Sequence, residues 1–215
     1  MPRKTMTSQK KFTTVPPKAQ PAKTAATPVK PSPAQSDAAT VIGEATPPTA
    51  PKTDAIKPLL TALHGTDADI AREAATSLGQ LGDAAAVEPL IQIVKNSNHY
   101  FHSVVRSAAA ASLGQLKDRR AVAALLDAVN DPITDPSTEA IRALVALADP
   151  RAINALVEVV RNSNHFFAGS VRRAAVLGLI KLGGDTAVTE LRRVAADVAE
   201  DSVIREEATA AISSK

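Results

Sequence analysis

The side chains best suited to bind or react gather in two copies of one segment. NSNHYFHS begins at Asn96, and NSNHFFAG begins sixty-six positions later at Asn162. Each copy carries a histidine (His99, His165), an aromatic pair (Tyr100 and Phe101, Phe166 and Phe167) and, a few residues on, an arginine (Arg106, Arg172). His99 and His102 stand three apart, a spacing that can reach one metal ion. No carboxylate neighbours either histidine, and Ala168 replaces His102 in the second copy, so polar loop histidines are expected rather than a metal site. The chain has five aromatic residues, and all but Phe12 lie in these two segments.

Large rings at such places act as interface anchors or as staples. Burying one contributes about 1.5–3 kcal/mol, enough to pin a loop. The anchor reading requires exposed rings and the staple reading requires inward ones; a mixed outcome has one ring in and one out. In the staple reading Asn96, Asn98, Asn162 and Asn164 cap the turns. Arg106, Arg172, Arg173 and Arg205 recur near the starts of helices, with Arg72 one place along. They are expected to pair with acids of the preceding link, such as Asp69 or Asp201. A ladder of guanidinium groups could instead receive an acidic partner. No Gly-rich phosphate loop, nucleophile elbow or carboxylate pair occurs, so no catalytic residue, metal or cofactor is assigned. The candidate partner-binding residues are therefore Tyr100, Phe101, Phe166, Phe167, His99, His165, Arg106 and Arg172.

These residues depend on a repeated frame. An Ala-Val/Ile-x-x-Leu pattern opens AIKPLL at 55, AVEPLI at 86, AVAALL at 121, AINALV at 152 and AVTELR at 187, at alternating intervals of 31 and 35 residues. Between these copies lie DIAREAATSLGQLGD (69–83), SVVRSAAAASLGQLKD (103–118), PSTEAIRALVALAD (136–149), GSVRRAAVLGLIKLGG (169–184) and DSVIREEATAAISS (201–214). Their apolar residues fall three and four apart, as in Val105, Ala109, Leu113 and Leu116, which makes one stripe on a helix. Each unit reads as helix A followed by helix B. Asp83, Asp118 and Asp149 are placed to cap the next helix A, and Pro150 follows at the first helical position. Asp69, Ser103 and Ser170 are candidate caps of the B helices, and Gly82 and Gly183–Gly184 offer freedom at helix ends. Pro58 and Pro89 are expected to interrupt helix A, where proline costs about 3 kcal/mol in a helix interior.

Neither helix of a pair can bury its stripe alone, whereas stacked pairs can. The fold expected is all-α, an α-solenoid of about five helix pairs over 53–215. Residues 86–118 and 152–184 align without a gap, which reads as duplication of a two-repeat block. The four extra residues of alternate repeats fall in the A-to-B link, so both aromatic loops lie along one edge, about 20 Å apart at about 10 Å per helix layer. The shorter links, HGTDAD (64–69) and NDPITDPS (130–137), place acids on the same edge.

GDAAAVEPLIQIV (82–94), DPRAINALVEVV (149–160) and SVRRAAVLGLIKLG (170–183) resemble HEAT-like repeats of the phycobilisome-lyase type. The resemblance covers 53–215 and implies an α-solenoid whose repeat residues build the core rather than a site. It also implies an alternative activity, that of a subunit of a phycobilin lyase or related chromophore factor. HEAT-like repeats also build a deoxyhypusine hydroxylase, which holds two irons through His-Glu pairs. His64, His99, His102 and His165 are followed by Gly, Tyr, Ser and Phe, so that activity is disfavoured.

Residues 1–52 differ sharply in composition. They hold ten of the fifteen prolines and eight Lys or Arg against two acids, a net charge near +6, whereas 53–215 carries seventeen bases against twenty acids. Such a segment cannot offset its ordering entropy and is expected to be a disordered tail. It reads as a spacer or as a weak polyanion-binding arm active at low salt. The net −3 of the repeat domain disfavours nucleic acid as its own partner. Proline breaks VPPKAQPAKTAATP (15–28) after the basic start and no apolar run could span a bilayer, so a cytoplasmic protein is the default expectation. The absence of cysteine excludes disulfides and fits either redox compartment. The function expected is a non-catalytic adaptor that binds a protein or peptide through its concave face or its loop edge.

Overall fold

The computed structural model describes residues 52–97, 101–162 and 165–213. The tail expected at 1–52, apart from Lys52, and the roles expected of Asn98, His99, Tyr100 and Asn164 lie outside the described residues. The described chain is ten α-helices without a strand: α1 (Lys52–Leu63), α2 (Ala68–Leu81), α3 (Val87–Lys95), α4 (Ser103–Leu116), α5 (Val122–Ala128), α6 (Thr134–Leu147), α7 (Arg151–Arg161), α8 (Gly169–Leu182), α9 (Asp185–Ala196) and α10 (Ser202–Ser213). They form five A–B pairs. Successive B helices stack, α2 on α4 on α6 on α8, with α10 closing the row against α8 and α9. A helices meet in a second layer, α3 with α5 and α7 with α9.

The apolar stripes meet in one continuous core. Leu78, Leu113, Leu144 and Leu179 of the B helices are fully buried among Leu63, Leu90, Leu125 and Leu156 of the A helices. Small residues set the spacing of the B row. A Cβ on Gly79 would lie 2.9 Å from Ser112 Cα, and one on Gly114 would lie 2.9 Å from Ala143 Cα. Ser112 also donates its buried hydroxyl to the Ala75 carbonyl at 2.8 Å, tying α4 to α2 across that seam.

Helix starts agree with the cap chemistry at three places and depart from it at three. Asp83, Asp118 and Asp149 accept from the backbone N–H two residues on, at 2.9, 2.9 and 3.0 Å. Before α2 the cap is Asp67 rather than Asp69, and it accepts from Asp69 and Ile70. Helices α4 and α8 start after His102 and Ala168 with no side-chain cap, and Ser103 and Ser170 already lie within the helices. Pro89 interrupts nothing. A single 3-10 turn over Ala84–Ala86 precedes α3, so Pro89 stands in the first helical turn, where its missing N–H has no intrahelical partner to lose. Pro58 does lie inside α1.

Candidate partner-binding faces

The two long loops are built by the same local device. Asn96 and Asn162 end their A helices in the left-handed region, with φ of 42° and 43°. That conformation suits asparagine better than most side chains. From there the Asn96 side-chain oxygen accepts from Phe101 N at 2.9 Å, and that of Asn162 accepts from Phe167 N at 2.8 Å. An arginine from the first turn of helix B grips the same residue from the other side. Arg106 Nη1 donates to the Phe101 carbonyl at 2.7 Å, and Arg172 Nη1 to that of Phe167 at 3.3 Å. The second ring of each pair is thereby turned inward: Phe101 and Phe167 are half-buried and pack against the core. Phe101 also meets the His64 ring edge-on at 6.0 Å. Phe166 stays 49% exposed and stands edge-on to Phe167 at 5.0 Å. The second loop thus has one ring in and one out. His165 is exposed beside them, with φ 54°.

The two arginines reach forward rather than back. Arg106 bonds Asp131 through Nε at 2.8 Å and Nη2 at 2.9 Å, and Arg172 Nη2 bonds Glu200 at 2.7 Å. Asp131 and Glu200 belong to the A-to-B link of the following repeat, not of the preceding one. The reason is geometric: the loop carbonyl holds Nη1, so the rest of the fork faces the next layer. Arg106 is only 8% exposed, and its three nitrogens are all engaged. The preceding-link pairing survives only for Arg72 and Asp69, at 3.9 Å across an exposed turn. Arg173 turns to Glu207 of α10.

A second candidate face lies along the B helices. Aligning the B helices on Leu78, Leu113, Leu144 and Leu179 places Thr76, Ala111, Arg142 and Leu177 at one outward position. In a groove of about 480 Å³ between α6 and α8, Leu177 is 46% exposed above Ile141, Val145 and Gly178. Gly178 lets the helices close: a Cβ there would lie 2.9 Å from Val145 Cγ2. Arg142, Arg173 and Lys181 line this groove, and no acid does. A second groove of about 600 Å³ runs over Ser107, Ala108 and Ala111 of α4, with the exposed Val104 at its wall, and joins the first through Thr138, Arg142 and Ser170. The other large apolar residues exposed among those described, such as Ile70, Ile133 and Val198, lie in links or first helical turns.

Among the described residues no three His, Asp or Glu side chains gather around a point where a metal could sit, and no helix is long and apolar enough to cross a membrane.

The family model for HEAT repeats matches residues 56–137 and 101–168, and the model for the PBS lyase HEAT-like repeat matches 171–197. Among solved structures, the complex of CpcE and CpcF of phycocyanin lyase from Nostoc sp. PCC7120 is similar, with a TM-score of 0.58 and 22% identity over 74% of this chain and 98% of that one. Human deoxyhypusine hydroxylase in complex with glycerol matches at 20% identity and a TM-score of 0.37, over 74% of this chain and 73% of that one. No curated protein sequence matches the chain. The likeness to the phycocyanin lyase complex is one of fold.

Proposed function

This chain belongs to the HEAT-repeat family, and from that premise we propose that it is a non-catalytic scaffold that holds a protein or peptide partner against its B-helix face. The observation that carries the reading is the pair of joined grooves crossing α2 to α8, with small side chains along α4 and an exposed leucine on α8. An exposed apolar side chain in a depression is the usual ground for an anchor contact. At the loop edge, by contrast, Arg106 is consumed by internal bonds and Phe101 and Phe167 face the core. Phe166 and His165 are exposed there, at the rim of the loop.

A photo-crosslinking amino acid placed at Ala111, at Phe166 or at Gln92 tests this in cells of the source organism. Ala111 lines the groove, Phe166 marks the loop edge, and Gln92 is exposed on helix α3. Capture of one discrete protein from Ala111 and not from Gln92 is expected. Capture from Phe166 alone moves the site to the loop edge, and equal capture from all three removes the scaffold reading.

A second reading, a lyase-type chromophore factor, draws on the match of 171–197 to the PBS lyase HEAT-like repeat. Coexpression with a phycobiliprotein subunit and bilin tests it. Absence of a covalent adduct removes it.

A further inference from the structure

The groove between α6 and α8 differs from the rest of the B-helix face in charge as well as in shape. Three cations line it, and each keeps donor capacity. Arg142 uses Nη1 on Glu139, and Arg173 uses Nε and Nη2 on Glu207. Those acids therefore occupy one edge of each guanidinium and leave Arg142 Nε and Nη2 and Arg173 Nη1 for another acceptor. Lys181 makes no ion pair among the described residues. Between these cations the exposed apolar surface is Leu177, beside partly buried Val145 and Ala174, with Thr138 and Ser170 completing the lining. The neighbouring groove over α4 is different, because Asp135 and Glu139 stand on its wall beside Arg72 and Arg142. The repeat domain as a whole has more acids than bases, seventeen bases against twenty acids over 53–215, so this cationic lining is a local feature.

Resting on the scaffold reading, we propose that the α6–α8 groove selects an acidic peptide segment of the partner, with an apolar side chain seated beside Leu177 and flanking carboxylates meeting Arg142, Arg173 and Lys181. The apolar floor supplies contact that does not depend on salt, and the cations supply orientation and rejection of basic segments. Guanidinium forks suit carboxylates because both are planar and can bond in parallel. A phosphate backbone would satisfy the cations and leave the apolar floor uncovered, so a peptide fits the whole lining better than a nucleic acid does.

The test uses the full chain and three fluorescein-labelled probes: a peptide with leucine between glutamates, a twin with lysine for glutamate, and a single-stranded oligonucleotide. Saturable binding of the acidic probe is expected, weakened at least about tenfold by Leu177→Ala and again by Lys181→Glu, and weakened by added salt. Val198→Ala, on an exposed link, is the control expected to leave binding unchanged. Circular dichroism of each variant checks that the helices persist. Equal binding of the lysine twin or of the oligonucleotide, no binding of the acidic probe up to about 1 mM, or indifference to Leu177→Ala overturns the proposal. A dimer in sedimentation that Leu177→Asp dissociates makes a second copy the occupant and also overturns it. If the acidic probe fails while Ala111 still captures a partner, this inference falls and the scaffold reading stands; if both fail, both fall.

Discussion

At the loop edge, Asn96, Asn162 and Arg106 direct their polar atoms into the chain, whereas in the α6–α8 groove Arg142, Arg173 and Lys181 keep donors facing outward. Both regions combine apolar side chains with arginine, and their compositions look alike. The difference lies in what surrounds each fork. A loop carbonyl and a carboxylate of the next layer close around Arg106, and burial makes that closure necessary, because an unpaired buried charge is costly. In the groove the acids stand to one side and water reaches the other. Residue type therefore says less about binding than the number of partners already in place.

The comparison breaks most directly at Arg106. Arg106→Ala should leave Asp131 poorly solvated and Phe101 unheld, with an expected loss of about 3–5 kcal/mol in urea unfolding. Arg172→Ala should lose less, because its side chain is 22% exposed against 10% for Arg106 and it bonds its acid through one nitrogen. Next come the rings. Phe167→Ala should cost about 1–3 kcal/mol, and Phe166→Ala less than about 0.5 kcal/mol, read from the same denaturant curves. Equal losses would mean that both rings staple the loop.

A smaller effect belongs to the opposite edge, which bears on neither region. Asp149 accepts from the Arg151 side chain at 2.9 and 3.0 Å and from its N–H, and these bonds hold its carboxyl well below the usual carboxylate range. A depressed folded pKa contributes stability that is fully present above the unfolded value of about 3.9 and is lost as pH falls below it. Unfolding followed from pH 5 downward should therefore fall less steeply below about pH 4 in Asp149→Asn than in the parent. The smallest stability effect is expected at Leu177, where Leu177→Ala should change stability by less than about 0.5 kcal/mol. A large loss there would show that the leucine packs the seam and would weaken its role as a contact.

The aromatic loops drew attention in the sequence because rings are rare in this chain, and rarity does not distinguish a staple from an anchor. The device that decides it, an asparagine in the left-handed region bonded to the backbone five residues on, was half legible: the turn-capping role of Asn96 and Asn162 was expected, but its target was not. The groove was not legible in this way: the alignment of Leu177 with Thr76, Ala111 and Arg142 marks it only once the outward-facing B-helix position is known.

By itself the sequence determined the helices, their pairing and most of the A-helix caps, because helical periodicity and cap bonds act within about four residues along the chain. Asp83, Asp118 and Asp149 cap where their spacing required. Only the tertiary structure decided which acid meets Arg106, which ring of the second loop turns in, and where a leucine stays exposed between cations. The first depends on a residue roughly one repeat away, Arg106 and Asp131 being 25 positions apart, and the others on which helix face and which loop ring the stacked layers cover. The meeting of Arg106 and Asp131 is set by the rotation between stacked layers, which no local pattern records.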